Sequence, residues 1–238
     1  MQKRRSAMTQ FAFTPMPAPS LPITGSDQRF PIARVFCLGR NYPWGDAKDQ
    51  VREFARYFMK PASSVVEAHG DVAFPPQTEE FCYEVELVVA IGKGGTRIAE
   101  DQALEHVWGY AVGLDLTRRD LQKAAMAAGQ PWEAGKAFDG SAPITPITPV
   151  SQMGHPNEGA IWLHVNDVPR QQATLQSQFW SVAQIISRLS QSVQLNSGDL
   201  IMTGTPPGVG ALQPGDCITA GIDGIDQLSM RVGARPLA

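Results

Sequence analysis

Glu84-Val85-Glu86-Leu87-Val88-Val89-Ala90-Ile91 is a β-rich run closed by Gly92. Residues two apart on a strand point to one face, so Glu84 and Glu86 stand side by side on a strand otherwise apolar enough to be buried. Two adjacent buried carboxylates repel each other, and each is costly to desolvate unless something compensates. Asp115 repeats the pattern at the end of a second apolar run, Tyr110-Ala111-Val112-Gly113-Leu114. A hard cation is the simplest compensation. An all-oxygen set with no Cys or His nearby favours Mg2+, Mn2+ or Ca2+ over zinc. Spacing alone leaves a second reading open, in which Glu84 and Glu86 line the solvated face of an edge strand and Asp115 sits in a turn.

Outward from this run, short strands dominate. Ile32 to Leu38 reads as a strand that stops at Gly39, and Trp108 to Leu116 as another. In the polar segment from Asn41 to Arg56, Val51, Phe54, Ala55 and Phe58 have helical spacing, although Tyr57 to Lys60 could instead begin a strand before Pro61. Ala99 to Val107 predicts a short helix. Thr117 with Asp120 is a capping-box pattern opening a helix through about Ala128, and Ser181 with Gln184 is a second, opening one through Ser190. Ile161 to Val165 is a strand turning at Asn166-Asp167. Asp199 to Thr203, Cys217 to Ile222 and Leu228 to Val232 are strands between Gly, Pro and Asp turns. The expected class is mainly β with a few helices (α+β), with a Pro-rich arm over residues 1–30 and one catalytic domain over 31–238.

Composition removes several functions. The chain has 238 residues and a formal net charge of −3, with no basic block beyond Lys3-Arg4-Arg5, so nucleic acid is not an expected partner. No run approaches the roughly 18 apolar residues that span a bilayer, and the N-terminus lacks the apolar core of a signal peptide. Cys37, Cys82 and Cys217 are odd in number and far apart, which suits reduced cysteines in a cytoplasmic protein. The four histidines, His69, His106, His155 and His164, fall in no ligand spacing.

Two further features bear on chemistry. Thr203-Gly204-Thr205-Pro206-Pro207-Gly208-Val209-Gly210 follows a strand, and such a loop lets backbone N–H groups and hydroxyls approach an anion. It lacks the Lys and spacing of a nucleotide-binding P-loop, and by itself it also fits a sharp turn. Arg40, Arg119, Gln122 and Lys136 lie near these elements, with Arg119 and Gln122 on one helical face. They could partner a carboxylate-bearing ligand or simply be solvated surface residues.

These pieces together resemble the fumarylacetoacetate hydrolase family, from about Ile32 to Val232. The resemblance rests on ordered motifs: Gly39-Arg40-Asn41-Tyr42, Phe58-Met59-Lys60-Pro61, Glu84-Val85-Glu86-Leu87, Gly113 through Gln122, Gly135-Lys136-Ala137-Phe138-Asp139, and Gly198 through Pro206. Val88 to Gly140 looks most like the fumarylpyruvate hydrolases. The resemblance implies a β-roll catalytic domain, commonly a homodimer, with Mg2+ or Mn2+ held by Glu84, Glu86 and Asp115. It also implies that Arg40, Arg119, Gln122, Lys136, Gly204 and Thr205 face a small dicarbonyl acid, with Lys136 beside the developing oxyanion and the Thr205 loop on the other end of the substrate.

One element departs from the family pattern. Its hydrolases activate water with a His and a Glu of a lid helix after the Asn-Tyr motif, where this chain reads Asn41-Tyr42-Pro43-Trp44-Gly45-Asp46-Ala47-Lys48. Gly45 stands at the His position and Lys48 at the Glu position. Cys82-Tyr83 before Glu84 is a second departure, since related chains often carry histidines there. Asp49 or Glu53 could serve as the base instead. Equally, the reaction could need no activated water, as in oxaloacetate-type decarboxylation or tautomerisation, or the chain could bind metal and dicarboxylate without turnover.

Overall fold

The protein is described by a computed structural model over residues 11–44 and 56–236. In chain order the strands are β1 (Ser20–Ile23), β2 (Ser26–Pro31), β3 (Val35–Leu38), β4 (Tyr57–Lys60), β5 (Val65–Glu67), β6 (His69–Val72), β7 (Phe81–Tyr83), β8 (Val85–Ile91) and β9 (Val107–Leu114). Next come β10 (Thr117–Arg118), the helices α1 (Arg119–Ala127) and α2 (Glu133–Lys136), β11 (Ala142–Ile144), β12 (Thr148–Pro149), α3 (Val150–Met153), β13 (Ala160–Val165) and β14 (Val168–Thr174). Then follow α4 (Val182–Ser192), β15 (Leu200–Met202), β16 (Gly210–Ala211), β17 (Cys217–Ile222) and β18 (Asp226–Val232).

The central sheet runs β4-β3-β15-β8-β9-β11-β5, with β12 also on β9. Its spine is the antiparallel pair β8–β9, in register from Val85 opposite Leu114 to Ile91 opposite Val107, with one irregularity near Ala90. Every residue of β8 is buried, and the strand alternates between two apolar environments. Val85, Leu87, Val89 and Ile91 face a core shared with a second sheet, β14-β13-β17-β18-β6, through Ile161, Leu163, Ile218, Leu228 and Met230. Ile185, Ile186 and Leu189 of α4 close one side of that core. Val88 and Ala90 face the opposite way, against Val35, Cys37, Ala111, Leu200 and Met202. A strand buried on both faces reads as a continuous apolar run, which is why Leu87 to Ile91 shows no polar alternation.

The arm expected over residues 1–30 contains an element that its Pro-rich composition hides. β1 and β2 form a hairpin whose Leu21, Ile23 and Phe30, with Ile32 just beyond, close the second apolar cluster. Asn166 and Asp167 both take positive φ (52° and 62°), giving the two-residue turn that joins β13 to β14 as expected. Ser181 and Gln184 form the full capping box of α4, Gln184 N–H donating to Ser181 Oγ at 3.3 Å and Ser181 N–H to Gln184 Oε1 at 3.1 Å.

The short helix expected from Ala99 to Val107 is present as a 3-10 helix over Glu100–His106. Thr117 does not cap α1: its residue pairs with Cys82 in β10–β7, and its hydroxyl donates to Asp115 O at 3.0 Å. Asp120 instead accepts from Thr78 Oγ1 (2.5 Å) and the Glu79 and Leu121 N–H groups (2.9 Å each), tying α1 to the preceding loop. The Thr-x-x-Asp spacing makes a capping box only where the Thr backbone ends a loop, and here it is still in a strand. Tyr57 to Lys60 is a strand, paired antiparallel with β3; the helical spacing at Val51, Phe54 and Ala55 lies outside the described residues.

Because Leu87 and Glu86 point to opposite faces of β8, stability and site chemistry are separable there. Leu87→Ala should cost about 2–5 kcal/mol in urea denaturation while leaving divalent-metal affinity unchanged within twofold; a large loss of metal affinity would mean that the two faces are not independent.

Candidate metal centre and active-site cavity

The outward alternation of β8 places Glu86 on the second face, and Glu84, two residues earlier, joins it. Asp115 follows β9 and its N–H donates to Glu84 O at 2.8 Å, so the two acids stand opposite each other at the ends of neighbouring strands. Glu86 pairs with Gly113, where a Cβ would come within 2.7 Å of Val88 Cγ2; only glycine leaves the strand pair this close. One oxygen from each of Glu84, Glu86 and Asp115 lies within 4.8 Å of the others, and all three residues are buried. The solvated-edge alternative is therefore excluded by geometry.

Two buried lysines share this cluster. Lys136, from the last turn of α2, donates to Glu84 Oε2 at 2.7 Å and to Asp115 Oδ2 at 2.6 Å. Lys60, at the end of β4, lies 2.9 Å from Asp115 Oδ1 and donates to Leu116 O at 3.1 Å and to Lys136 O. The Lys60–Asp115 contact is off the direction of a hydrogen bond, so among the described residues Asp115 Oδ1 is a buried acceptor without one. Glu86 Oε2 accepts from the Gly204 N–H at 2.7 Å. Arg119 donates to Glu84 Oε1 at 3.2 Å and to Gln122 Oε1 at 2.9 Å.

The electrostatics follow from burial and this asymmetry of partners. Burial pushes the Glu86 carboxyl well above the usual range, and the charges of Asp115 and Glu84 push it further, against the weaker opposition of the Gly204 N–H and the Lys136 charge. Burial also raises Glu84, which Lys136 partly pulls back. For Asp115, burial is outweighed by Lys136 and Lys60, and its pKa falls below the usual value. Burial lowers Lys136, but Asp115 and Glu84 more than reverse this and hold it above its ordinary value. Lys136 is thus a fixed positive charge rather than a base.

Three carboxylates against two ammonium groups leave the ionised cluster with a net charge of −1, and Arg119 stands at its edge beside Glu84. An unsatisfied Asp115 oxygen, three convergent carboxylates and the absence of Cys or His among them fit a hard divalent cation. Adding two positive charges would turn the centre net positive and suited to an anionic ligand.

The cluster forms the floor of a cavity of about 650 Å3. Arg40, Arg119, Gln122, Lys136 and Thr205 line it, as do the aromatic side chains of Tyr42, Trp44, Phe58, Trp132 and Phe179. Arg40 takes φ 62° where the chain leaves β3. Gly204, grouped with Thr205 in the sequence reading, turns its N–H onto Glu86, and Thr205 is the residue of the pair on the cavity wall. Asp49 and Glu53 lie outside the described residues.

Nothing local in the sequence assigns a role to Lys60 or Gln171. Lys60 stands inside a motif, and a Lys at the end of a strand just before Pro61 is a signal. Gln171 carries none: its strand, Val168 to Thr174, reads as polar surface, yet Gln171 is fully buried behind Thr205. Asn41 proves to be a structural pin, its side chain donating to Thr203 O and Trp180 O and accepting from Trp180 N–H.

Residues 34–233 match the family model "Fumarylacetoacetate (FAA) hydrolase C-terminal". The chain is 44% identical over 189 residues to a fumarylpyruvate hydrolase of Ralstonia sp, covering 79% of this chain and 98% of that one. It is 37% identical over 205 residues to a mitochondrial oxaloacetate tautomerase of Mus musculus, covering 83% and 90%. Among solved structures, a fumarylpyruvate hydrolase from Pseudomonas aeruginosa in complex with Mn2+ and pyruvate superposes with a TM-score of 0.92 at 49% identity, covering 95% of this chain and all of that one.

Glu86 also yields a sign-definite prediction for metal-free protein. Its folded pKa lies above its unfolded value, so its contribution to stability is present below the unfolded pKa and is lost as pH rises through the folded one. Glu86→Gln removes that penalty. Without metal at pH 8 it should melt no lower than wild type and about 2–4 °C higher. Mn2+ at a hundred times the wild-type Kd should stabilise wild type by about 2.7 kcal/mol and the variant far less. Equal metal stabilisation of both proteins in a thermal-shift titration would rule Glu86 out as a ligand.

Proposed function

The chain belongs to the fumarylacetoacetate hydrolase family, and we propose that it is a divalent-metal-dependent hydrolase cleaving a C–C bond in a small 2,4-dioxo acid of the fumarylpyruvate or acylpyruvate type. The observation that carries this reading is the convergence of Glu84, Glu86 and Asp115 under a fixed Lys136 ammonium, at the floor of a cavity walled by Arg40, Arg119, Gln122 and Thr205. Similarity to a fumarylpyruvate hydrolase, and to one whose structure holds Mn2+ and pyruvate, supports it.

Glu84, Glu86 and Asp115 would hold Mg2+ or Mn2+, which when bound supplies Lewis-acid polarisation of the 2-oxo group. The chain's own residues do the rest. Arg119 and Gln122, hydrogen-bonded to each other, orient the substrate carboxylate by charge-assisted hydrogen bonds. A water molecule adds to the distal ketone, the C–C bond on its inner side breaks, and the pyruvate enolate so released takes a proton on carbon. Lys136, unable to give up its charge cheaply, stabilises negative charge developing on the enolate oxygen. The base that takes the proton from water is a carboxylate of the segment after Tyr42, Asp49 or Glu53. For fumarylpyruvate the balance is one water consumed and one fumarate and one pyruvate formed.

Oxaloacetate tautomerisation or decarboxylation is the second reading, favoured by Gly45 at the family's His position and by the similarity to oxaloacetate tautomerases. Neither reaction needs an activated water. The setting we propose is cytoplasmic aromatic catabolism, supported by the unpaired state of Cys37, Cys82 and Cys217 and by the similarity to fumarylpyruvate hydrolases. We read the protein as a homodimer; the exposed Phe11, Phe13 and Met16 of the arm are surfaces that a second copy could cover.

Chelator-stripped protein assayed with fumarylpyruvate, acetylpyruvate and oxaloacetate, with and without Mn2+ or Mg2+, tests the reading. The expected result is metal-restored cleavage of the acylpyruvates, reduced about 10²–10³-fold in kcat by Lys136→Met with metal binding retained. Turnover of oxaloacetate alone would move the assignment to the tautomerase class. Tight metal binding without any turnover would make this a binding protein.

A further inference from the structure

Gln171 sits on β14, the edge strand of the second sheet, and is the one buried residue between Val168 and Thr174. Pairing of β13 with β14 skips Arg170, Leu163 facing Gln171 while His164 faces Pro169. An extra residue at such a point re-aims a neighbouring side chain, and the Gln171 amide reaches across to the central sheet. Its Oε1 accepts from Val85 N–H at 3.0 Å, next to Glu84, and its Nε2 donates to Pro206 O at 2.7 Å and to Thr205 Oγ1 at 2.8 Å.

These partners remove the usual ambiguity of an amide. A backbone N–H can only donate and the Pro206 carbonyl can only accept, so the oxygen and nitrogen of Gln171 are each fixed. With both Nε2 protons directed at acceptors, Thr205 Oγ1 must accept. A threonine hydroxyl has one proton, and among the described residues Thr205 Oγ1 has no other partner. That proton is left for the cavity that Thr205 lines. The loop itself is seated on the same strand: at Gly208 (φ 105°) a Cβ would lie 1.9 Å from Arg170 O and 3.3 Å from Gln171 Cα.

We propose that Gln171 is a positioning residue that fixes the polarity of Thr205, making its hydroxyl an obligate hydrogen-bond donor to an acceptor oxygen, keto or carboxylate, of the bound oxo acid. It rests on the reading of the cavity as an oxo-acid site.

The test is a double-mutant cycle on Mn2+-loaded protein, with pyruvate affinity measured by calorimetry. Thr205→Val and Gln171→Glu should each weaken pyruvate about tenfold, because a carboxylate at 171 still accepts from Val85 but turns the Thr205 proton toward itself. The double variant should be no more than about twofold weaker than either single, and Thr205→Ser should bind as wild type. Mn2+ affinity in the absence of pyruvate should move less than twofold, which a general collapse of the loop would not allow. Multiplying losses, or an unchanged pyruvate affinity in Gln171→Glu, would overturn the proposal. Neutron diffraction of deuterated wild-type crystals reads the same polarity without any variant or ligand. A deuteron on Thr205 Oγ1 aimed into the cavity is expected, and one aimed at Gln171 refutes the proposal. If wild type failed to bind pyruvate at all, the oxo-acid reading would fall, while the neutron map would still decide the polarity.

Discussion

Three carboxylates crowded on one buried face of β8 and β9 are the constraint around which this protein is arranged. Each is costly to desolvate, and together they repel. The fold answers with two lysines drawn from separate parts of the chain, one at the end of β4 and one in α2, and with the Gly204 N–H. That compensation is deliberately incomplete in charge. Asp115 takes both ammonium groups, and among the described residues Glu86 is left with a single backbone donor, which is why their proton affinities are driven in opposite directions.

The rest of the architecture keeps this face rigid and away from water. β8 is buried on both sides, so one set of its side chains anchors the sheet to its neighbour and the other set leads into the site. The hairpin β1–β2 closes the apolar floor beneath the second set. On the opposite side, Asn41 ties the chain after β3 to Thr203 and Trp180, holding the mouth of the cavity to the glycine loop. A bidentate contact of Arg34 with the fully buried Asp199, at 3.0 and 2.6 Å, fixes β15 against β3 just before that loop begins. Preorganised groups of this kind need little rearrangement when charge develops during a reaction.

The second sheet contributes more than packing. Through Gln171 it reaches both the backbone beside Glu84 and the hydroxyl of Thr205, so the metal-side strand and the ligand-side loop are referenced to one amide. This explains why a polar strand at the edge of the structure contains one residue buried as completely as any in the core.

The local pattern in the sequence was enough to determine the strand-rich class, the spacing that sets Glu84 and Glu86 on one face, the turn at Asn166-Asp167 and the capping box at Ser181, because each depends on neighbours within a few residues. It also supplied the ordered motifs that pointed to the family. Period-two alternation could not say whether that face was wet or dry, since burial is decided by what other parts of the chain lie over it. Nor could it show that Thr117 remains in a strand, that the Pro-rich arm folds back as a hairpin, or that Lys60 and Gln171 reach the site. Lys60 is 55 residues from Asp115 and Gln171 is 34 from Thr205, and contacts across such separations exist only once the sheets have paired. Tertiary structure alone gathered an ambiguous row of acids into a buried, convergent cluster that could hold a metal, because burial and convergence in space are set by parts of the chain far apart in the order of residues.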